Sequence, residues 1–137
     1  MTQESHSFKN DTKSLSPIRE KVRQFLKKTD FPEGEQDKIV VAVGEACMNS
    51  VMHAPSNKPI ELFLDNQEDK CLIKIRDYGT KIDLEKVQKP ELPPVKPRGL
   101  GIYFMLTIMD KVEYNTSHPV GNELILIKYK PLQRKNP

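Results

Sequence analysis

Glu45, Asn49 and His53 fall four residues apart in the run Ile39 to Ala54, IVVAVGEACMNSVMHA. On a helix that spacing stacks the three polar groups along one face. The rest of the run is apolar on nearly every side, which is the pattern of a buried helix. A carboxylate at Glu45 would then lie in the interior, with no Lys or Arg three or four residues away to offset its charge. From this helix alone two readings stand: a buried Glu satisfied by backbone donors or a distant Arg, and a functional carboxylate in a site. Two glycine clusters further along, Asp77-Tyr78-Gly79 and Arg98-Gly99-Leu100-Gly101, favour the site. A glycine pair opening a helix leaves free backbone N–H groups and the positive end of the helix dipole at one spot, a ready anion site. No GxxxxGK[ST] loop occurs, Gly99-Leu100-Gly101 lacks a third glycine and a preceding strand, and the Gly-rich, HRD and DFG elements of ordinary protein kinases are missing. A nucleotide, if bound, is held by another route.

The elements that must position these groups follow from pattern. Residues 1–14 are polar around Phe8, either a flexible arm or an edge strand. Ser16-Pro17 predicts a helix start, with Ser16 as N-cap and Pro17 in the first helical position. Ile18, Val22, Phe25 and Leu26 give that helix one apolar face as far as about Thr29. Asp30 to Gly34 breaks the chain, and the organising helix begins near Glu35. Ile60 to Asp65 and Cys71 to Asp77 read as a hairpin, the second run alternating Cys71, Ile73 and Ile75 with Leu72 and Lys74. Pro90, Pro93, Pro94 and Pro97 stiffen a long loop of the kind that serves as a lid or binding loop. A third helix starts at Leu100, and Lys111 to Thr116 with Glu123 to Tyr129 form a second hairpin around the turn His118 to Asn122. The order predicts an α+β, two-layer α/β sandwich: a mixed, mostly antiparallel sheet with three helices on one face. One domain at 15–130 carries it, flanked by the arm at 1–14 and a tail at 131–137.

Composition narrows the classes. A net charge of +3 with no Trp and no basic stripe argues against direct nucleic-acid binding. No apolar stretch reaches the ~18 residues of a membrane span, and the N-terminus lacks a signal-peptide layout. Cys47 and Cys71 sit in apolar runs, the pattern of buried thiols in a reducing cytosol, so the expected location is cytoplasmic.

Taken together, Glu45-x-x-x-Asn49, then Asp77-x-Gly79, then Gly99-Leu100-Gly101 resemble in order and spacing the N, G1 and G2 boxes of the ATPase superfamily (GHKL) shared by histidine kinases and DNA gyrase. The Asn49-x-x-x-His53-Ala54 continuation, the DxGxxID form of the second box, and the run from Arg98 through Tyr114 look like the anti-sigma-factor serine-protein kinases of the RsbW and anti-sigma F type. The resemblance covers roughly residues 15 to 130 and implies the Bergerat-type ATP-binding fold. It implies Asn49 as the protein ligand of Mg²⁺ and Glu45 as general base on the attacking hydroxyl. Asp77 would accept from the adenine amino group, with Gly79 letting the backbone approach the ring. Gly99, Leu100 and Gly101 would place N–H groups on the phosphates of ATP, with Arg98 as a phosphate contact and the proline-rich segment as the lid. Lys81 stands where many members have a second glycine, within reach of a phosphate but without glycine's backbone freedom. His53 is expected to pack beneath the site. The implied partners are a sigma factor and a STAS-type anti-anti-sigma antagonist phosphorylated on serine, with the protein a homodimer. Two alternatives stand beside it: a non-catalytic, nucleotide-holding module that sequesters its partner, and the detached catalytic domain of a sensor histidine kinase.

Overall fold

The computed structural model describes residues 2–82 and 104–131. Among these, five strands form one sheet in the order β1-β2-β3-β5-β4, antiparallel at every pairing. The strands are β1 (Thr2–Phe8), β2 (Ile60–Asn66), β3 (Lys70–Asp77), β4 (Lys111–Tyr114) and β5 (Asn122–Tyr129). Helices α1 (Leu15–Leu26) and α2 (Glu33–His53) and a helical segment at 104–108 supply the second layer. No helix among the described residues is long and apolar enough to cross a membrane.

Alternation decides which strand residues face the helices. Cys71, Ile73 and Ile75 of β3 are buried, and so are Leu124 and Leu126 of β5 and Ile60, Leu62 and Leu64 of β2. They meet Ile18, Val22, Phe25 and Leu26 of α1 and Ile39, Val43 and Cys47 of α2 in one core. Both expected hairpins form, and residues 2–8 are an edge strand rather than a loose arm, with Phe8 opposite Ile60 and packed against the core. β4 is shorter than its run, ending at Tyr114, and β5 starts at Asn122.

Two expectations about the helices are corrected. Ser16 does not cap α1. Asp11 accepts from the Lys13 N–H and opens a 3₁₀ turn, Thr12–Ser14, that runs directly into α1 at Leu15. Ser14 takes the N-cap place, but its hydroxyl donates to the Lys9 carbonyl, and Pro17 sits inside the first turn, where a missing N–H costs nothing. Nor is α2 buried all round. Its core side is closed, yet Val41 and Met52 are exposed at 45% and 60%, and with Glu45, Met48, Asn49 and His53 they trace an open stripe. The sheet and α1 cover only part of a helix's circumference, and apolar residues on the remaining arc cannot bury themselves. The helical segment at 104–108 is tied to the sheet by Lys128, which is inward-facing on β5 and donates from Nζ to the Ile108 carbonyl at 2.6 Å. A cation at a helix C-terminus also suits the dipole.

Candidate functional site

Asp77 follows Cys71, Ile73 and Ile75 on the inward parity of β3, so alternation carries a carboxylate to the helix face at the strand's end. It is 1% exposed. Among the described residues no Lys or Arg side chain pairs with it; hydrogen-bond donors share its charge instead. Ser50, on the core side of α2, donates from its hydroxyl to Oδ2 at 2.9 Å. Asn122, its register partner on β5, donates from Nδ2 to Oδ1 at 3.0 Å, and the Gly79 N–H reaches the same oxygen at 3.1 Å. Such donors are what a buried carboxylate requires in place of a counter-charge.

Its surroundings are apolar and hold their protons. Burial pushes the Cys47 thiol up to about 12, opposed by Arg19 and reinforced by the Asp77 charge. Burial, with that same charge, pushes the Tyr114 phenol up to about 12.

Gly79 makes its close approach to protein rather than to open space. A Cβ there would lie 2.1 Å from the Ala54 carbonyl oxygen at the end of α2, closer than any real contact. Only glycine lets this loop seat against the helix. Gly121, entering β5, has φ +77°, and its Cβ would meet the Asp77 carbonyl oxygen at 2.1 Å. Gly79 thus seats the loop after Asp77 on α2, and Gly121 packs against the Asp77 backbone.

The remaining predicted residues fall into three groups. Glu45 and Asn49 share the open stripe of α2, both half-buried, about 6 Å apart along the axis. Glu45 is therefore not an interior carboxylate, and no ion pair among the described residues reaches it. His53 is exposed, and so does not pack beneath the site. Lys81 is exposed on the loop that follows Gly79. Arg98, Gly99, Leu100 and Gly101, and the proline segment before them, lie outside the described residues.

Sequence reasoning missed Ser50 and Asn122. Ser50 was hidden as the one polar residue on the core side of α2. Asn122 ends the predicted turn His118 to Asn122, yet it shares parity with Leu124 and Leu126, and that parity is the signal in the sequence.

Toward its N-terminal half, the open stripe borders a groove of about 380 Å³ against the helical segment at 104–108, walled by Lys38, Val41 and Phe104 among others. A larger concavity of about 530 Å³ lies across the opposite face of the sheet, around Phe63, Lys74, Arg76 and Glu123. Of the predicted site residues it includes none. Among the described residues no group of three His, Cys, Asp or Glu side chains could hold a metal by itself.

The chain matches the histidine kinase-like ATPase domain over residues 8–128. It is 29% identical over 133 residues to an anti-sigma F factor of Oceanobacillus iheyensis, covering 90% of each chain. It is 31% identical over 108 residues to the serine-protein kinase RsbW of Bacillus licheniformis, covering 69% of this chain and 66% of that one. Among solved structures it superposes on the RsbU and RsbW domains of a Mycobacterium tuberculosis protein with a TM-score of 0.70 at 13% identity, over 96% of this chain and 34% of that one. The histidine kinase domain of a blue-light-activated kinase from Erythrobacter litoralis gives 0.60 at 14% identity, over 88% of this chain and 61% of that one.

Proposed function

This chain belongs to the histidine kinase-like ATPase family, its match to that domain running over residues 8–128, and from that premise we propose that it is an anti-sigma factor with ATP-dependent serine-protein kinase activity. In this reading it sequesters a sigma factor, phosphorylates a serine of a STAS-type antagonist, and acts as a homodimer in the cytoplasm. The names of its relatives, anti-sigma F factor and serine-protein kinase RsbW, support both halves.

The observation that carries the nucleotide half is the state of Asp77. An ionised carboxylate offers about four acceptor positions. Ser50, Asn122 and Gly79 occupy three from within the protein, two on Oδ1 and one on Oδ2. Counting the described residues, a single acceptor place on Oδ2 remains, which suits one N–H of an exocyclic amine. Adenine presents such an amine; a guanine carbonyl at the same place would set oxygen against oxygen. The exposed apolar side chains Val41 and Met52 on the α2 stripe are surface that a bound nucleotide would cover.

Along α2, Ser50 marks the base end and Glu45 lies about 7.5 Å nearer the N-terminus. Glu45 accepts the proton of the substrate serine as its oxygen attacks the γ-phosphorus, and the bond to the β,γ-bridging oxygen breaks to leave ADP. Glu45 is half-buried and, among the described residues, in no ion pair, which leaves its oxygens open to that proton. Asn49 offers an amide oxygen beside it. With no all-protein metal cluster among the described residues, this donor set fits Mg²⁺, which takes few protein ligands and keeps phosphates and waters. When bound, Mg²⁺ neutralises charge on the phosphate oxygens. Lys81, Arg98 and the backbone N–H groups of Gly99, Leu100 and Gly101 are proposed to bind the phosphates.

Calorimetry with Mg-ATP and γ-phosphate transfer to a purified STAS-type antagonist test this reading. One site per chain is expected, and Glu45→Ala is expected to bind ATP but transfer phosphate about 10²–10⁴-fold more slowly. Absence of binding heat at millimolar ATP removes the nucleotide assignment. ATP binding without transfer by the wild-type protein leaves a sequestering module instead.

A further inference from the structure

Asn122 uses every hydrogen-bonding group it has. It is 8% exposed. Its Nδ2 donates to Asp77 Oδ1 at 3.0 Å and to the Thr80 carbonyl at 2.9 Å, and its Oδ1 accepts from the Ile82 N–H at 2.8 Å. A carboxamide is the side chain that offers two donors and an acceptor in one plane. Asp could not donate, and a hydroxyl has a single donor for two acceptors.

The backbone that presents this amide is held as firmly. The Arg76 guanidinium donates to the carbonyls of Asp77, Val120 and Asn122, at 2.6, 2.9 and 3.3 Å, so it gathers the end of β3 and the start of β5. Gly121 turns the chain beside them at φ +77°. A strand side chain anchored this way has little freedom to follow its partner; its partner must follow it.

We propose that Asn122 is a positioning residue that sets the orientation of the Asp77 carboxylate and the Thr80–Ile82 loop, and thereby the selectivity of the site for a 6-aminopurine nucleotide. The torsion that rotates a carboxylate about its last bond is broad and has no strong preference of its own. Donors must choose it. Among the described residues Ser50 alone holds Oδ2, through a hydroxyl that can swing; Asn122 shares Oδ1 with the Gly79 N–H of the loop it also ties down, and holds it through a planar amide pinned at two further points. With that amide in place the free acceptor position of Oδ2 has one direction. Without it, Asp77 can turn to satisfy itself within the loop, and the amine loses its partner.

The inference rests on the base-recognition reading of Asp77, and the test separates the two. The full chain is titrated with ATP and with purine riboside triphosphate, which has the same triphosphate and ring but no amino group. Wild-type protein is expected to favour ATP. Asn122→Ala is expected to weaken ATP binding about tenfold, the scale of one buried hydrogen bond to a charged group, and to change purine riboside triphosphate binding less than about twofold. In an Asp77→Asn background, Asn122→Ala is expected to cost nothing further, because it acts through that carboxylate. Asn122→Leu, which keeps the number of side-chain heavy atoms without their hydrogen-bonding groups, carries the same test should truncation loosen the turn. Equal losses for both nucleotides, or losses that add with Asp77→Asn, would mean that Asn122 only supports the fold and would overturn the proposal. Wild-type protein that bound the two nucleotides equally would remove the Asp77 reading, and this proposal with it.

Discussion

Burying a charge without a counter-charge is costly unless hydrogen bonds share it. At Asp77 those bonds come from one residue on α2, one on β5 and one backbone N–H, so the carboxylate also locks three parts of the chain together. Gly79 is part of the same lock. A methyl group there would collide with the Ala54 backbone, which has no flexible end to move aside. Gly79→Ala is therefore expected to destabilise the protein by about 1–3 kcal/mol, the range for overpacking, read as a lower thermal midpoint without nucleotide. An unchanged midpoint would mean that the loop is not seated on α2. At this scale the motif residues Asp77 and Gly79 were legible in the sequence, because a short motif names its own members. Ser50 and Asn122 were not, since each acts through a partner 27 or 45 positions away. For Asn122, parity with Leu124 would have placed the side chain inward, but not opposite Asp77 until the β3–β5 register was known.

β3 forms where its apolar alternation predicts it, and β2 and β5 form where their apolar strand-like runs do. β1 was ambiguous for the opposite reason: Thr2 to Ser7 is polar throughout, and only its partner makes it a strand. Glu4, on its helix-facing side, accepts from the His6 ring at 3.0 Å and from Lys28 Nζ, just beyond α1, at 3.1 Å. The hydrogen bond from His6 and the contact with Lys28 hold the Glu4 carboxyl below its ordinary value of 4.5, against the opposing effect of burial. A carboxyl whose folded value is depressed contributes stability above its unfolded value and loses it as pH falls through the folded one. Amide exchange in β1, compared with β3, is accordingly expected to accelerate selectively below about pH 4.5, and Glu4→Gln should abolish the selective part. If β1 amides kept their relative protection in acid, this edge would owe nothing to Glu4. Helix boundaries erred where the chain had a choice of caps. Asp11 competes with Ser16 and wins because it can start a 3₁₀ turn that leads into α1. The open stripe of α2 was illegible because a run of apolar letters does not say how much of a helix its neighbours cover.

For the molecule as a whole, the two cysteines report on the integrity of a single core. Cys47 on α2 and Cys71 on β3 are both fully buried and free, and burial pushes both thiols up to about 12. Almost no thiolate exists at neutral pH, and thiolate is the reactive form. Iodoacetamide at pH 7.5 is expected to leave both unlabelled in the native protein and to label both with one time course across the denaturant transition. Labelling of one before the other would reveal separate unfolding of the helical and sheet layers. The layers themselves, one sheet with helices on one face, were legible from element order, since a sheet with one apolar side must be covered by something. In the proposed reading the base end and the reacting end lie on one uninterrupted helix of 21 residues. Such a helix is a ruler: each residue adds about 1.5 Å and about 100°. One residue inserted between Glu45 and Ser50 would swing Glu45 off the open stripe while leaving Ser50 on Asp77. Under the proposed roles, the length of a nucleotide spanning them would be written into the count of residues between Glu45 and Ser50, with no loop able to absorb a change.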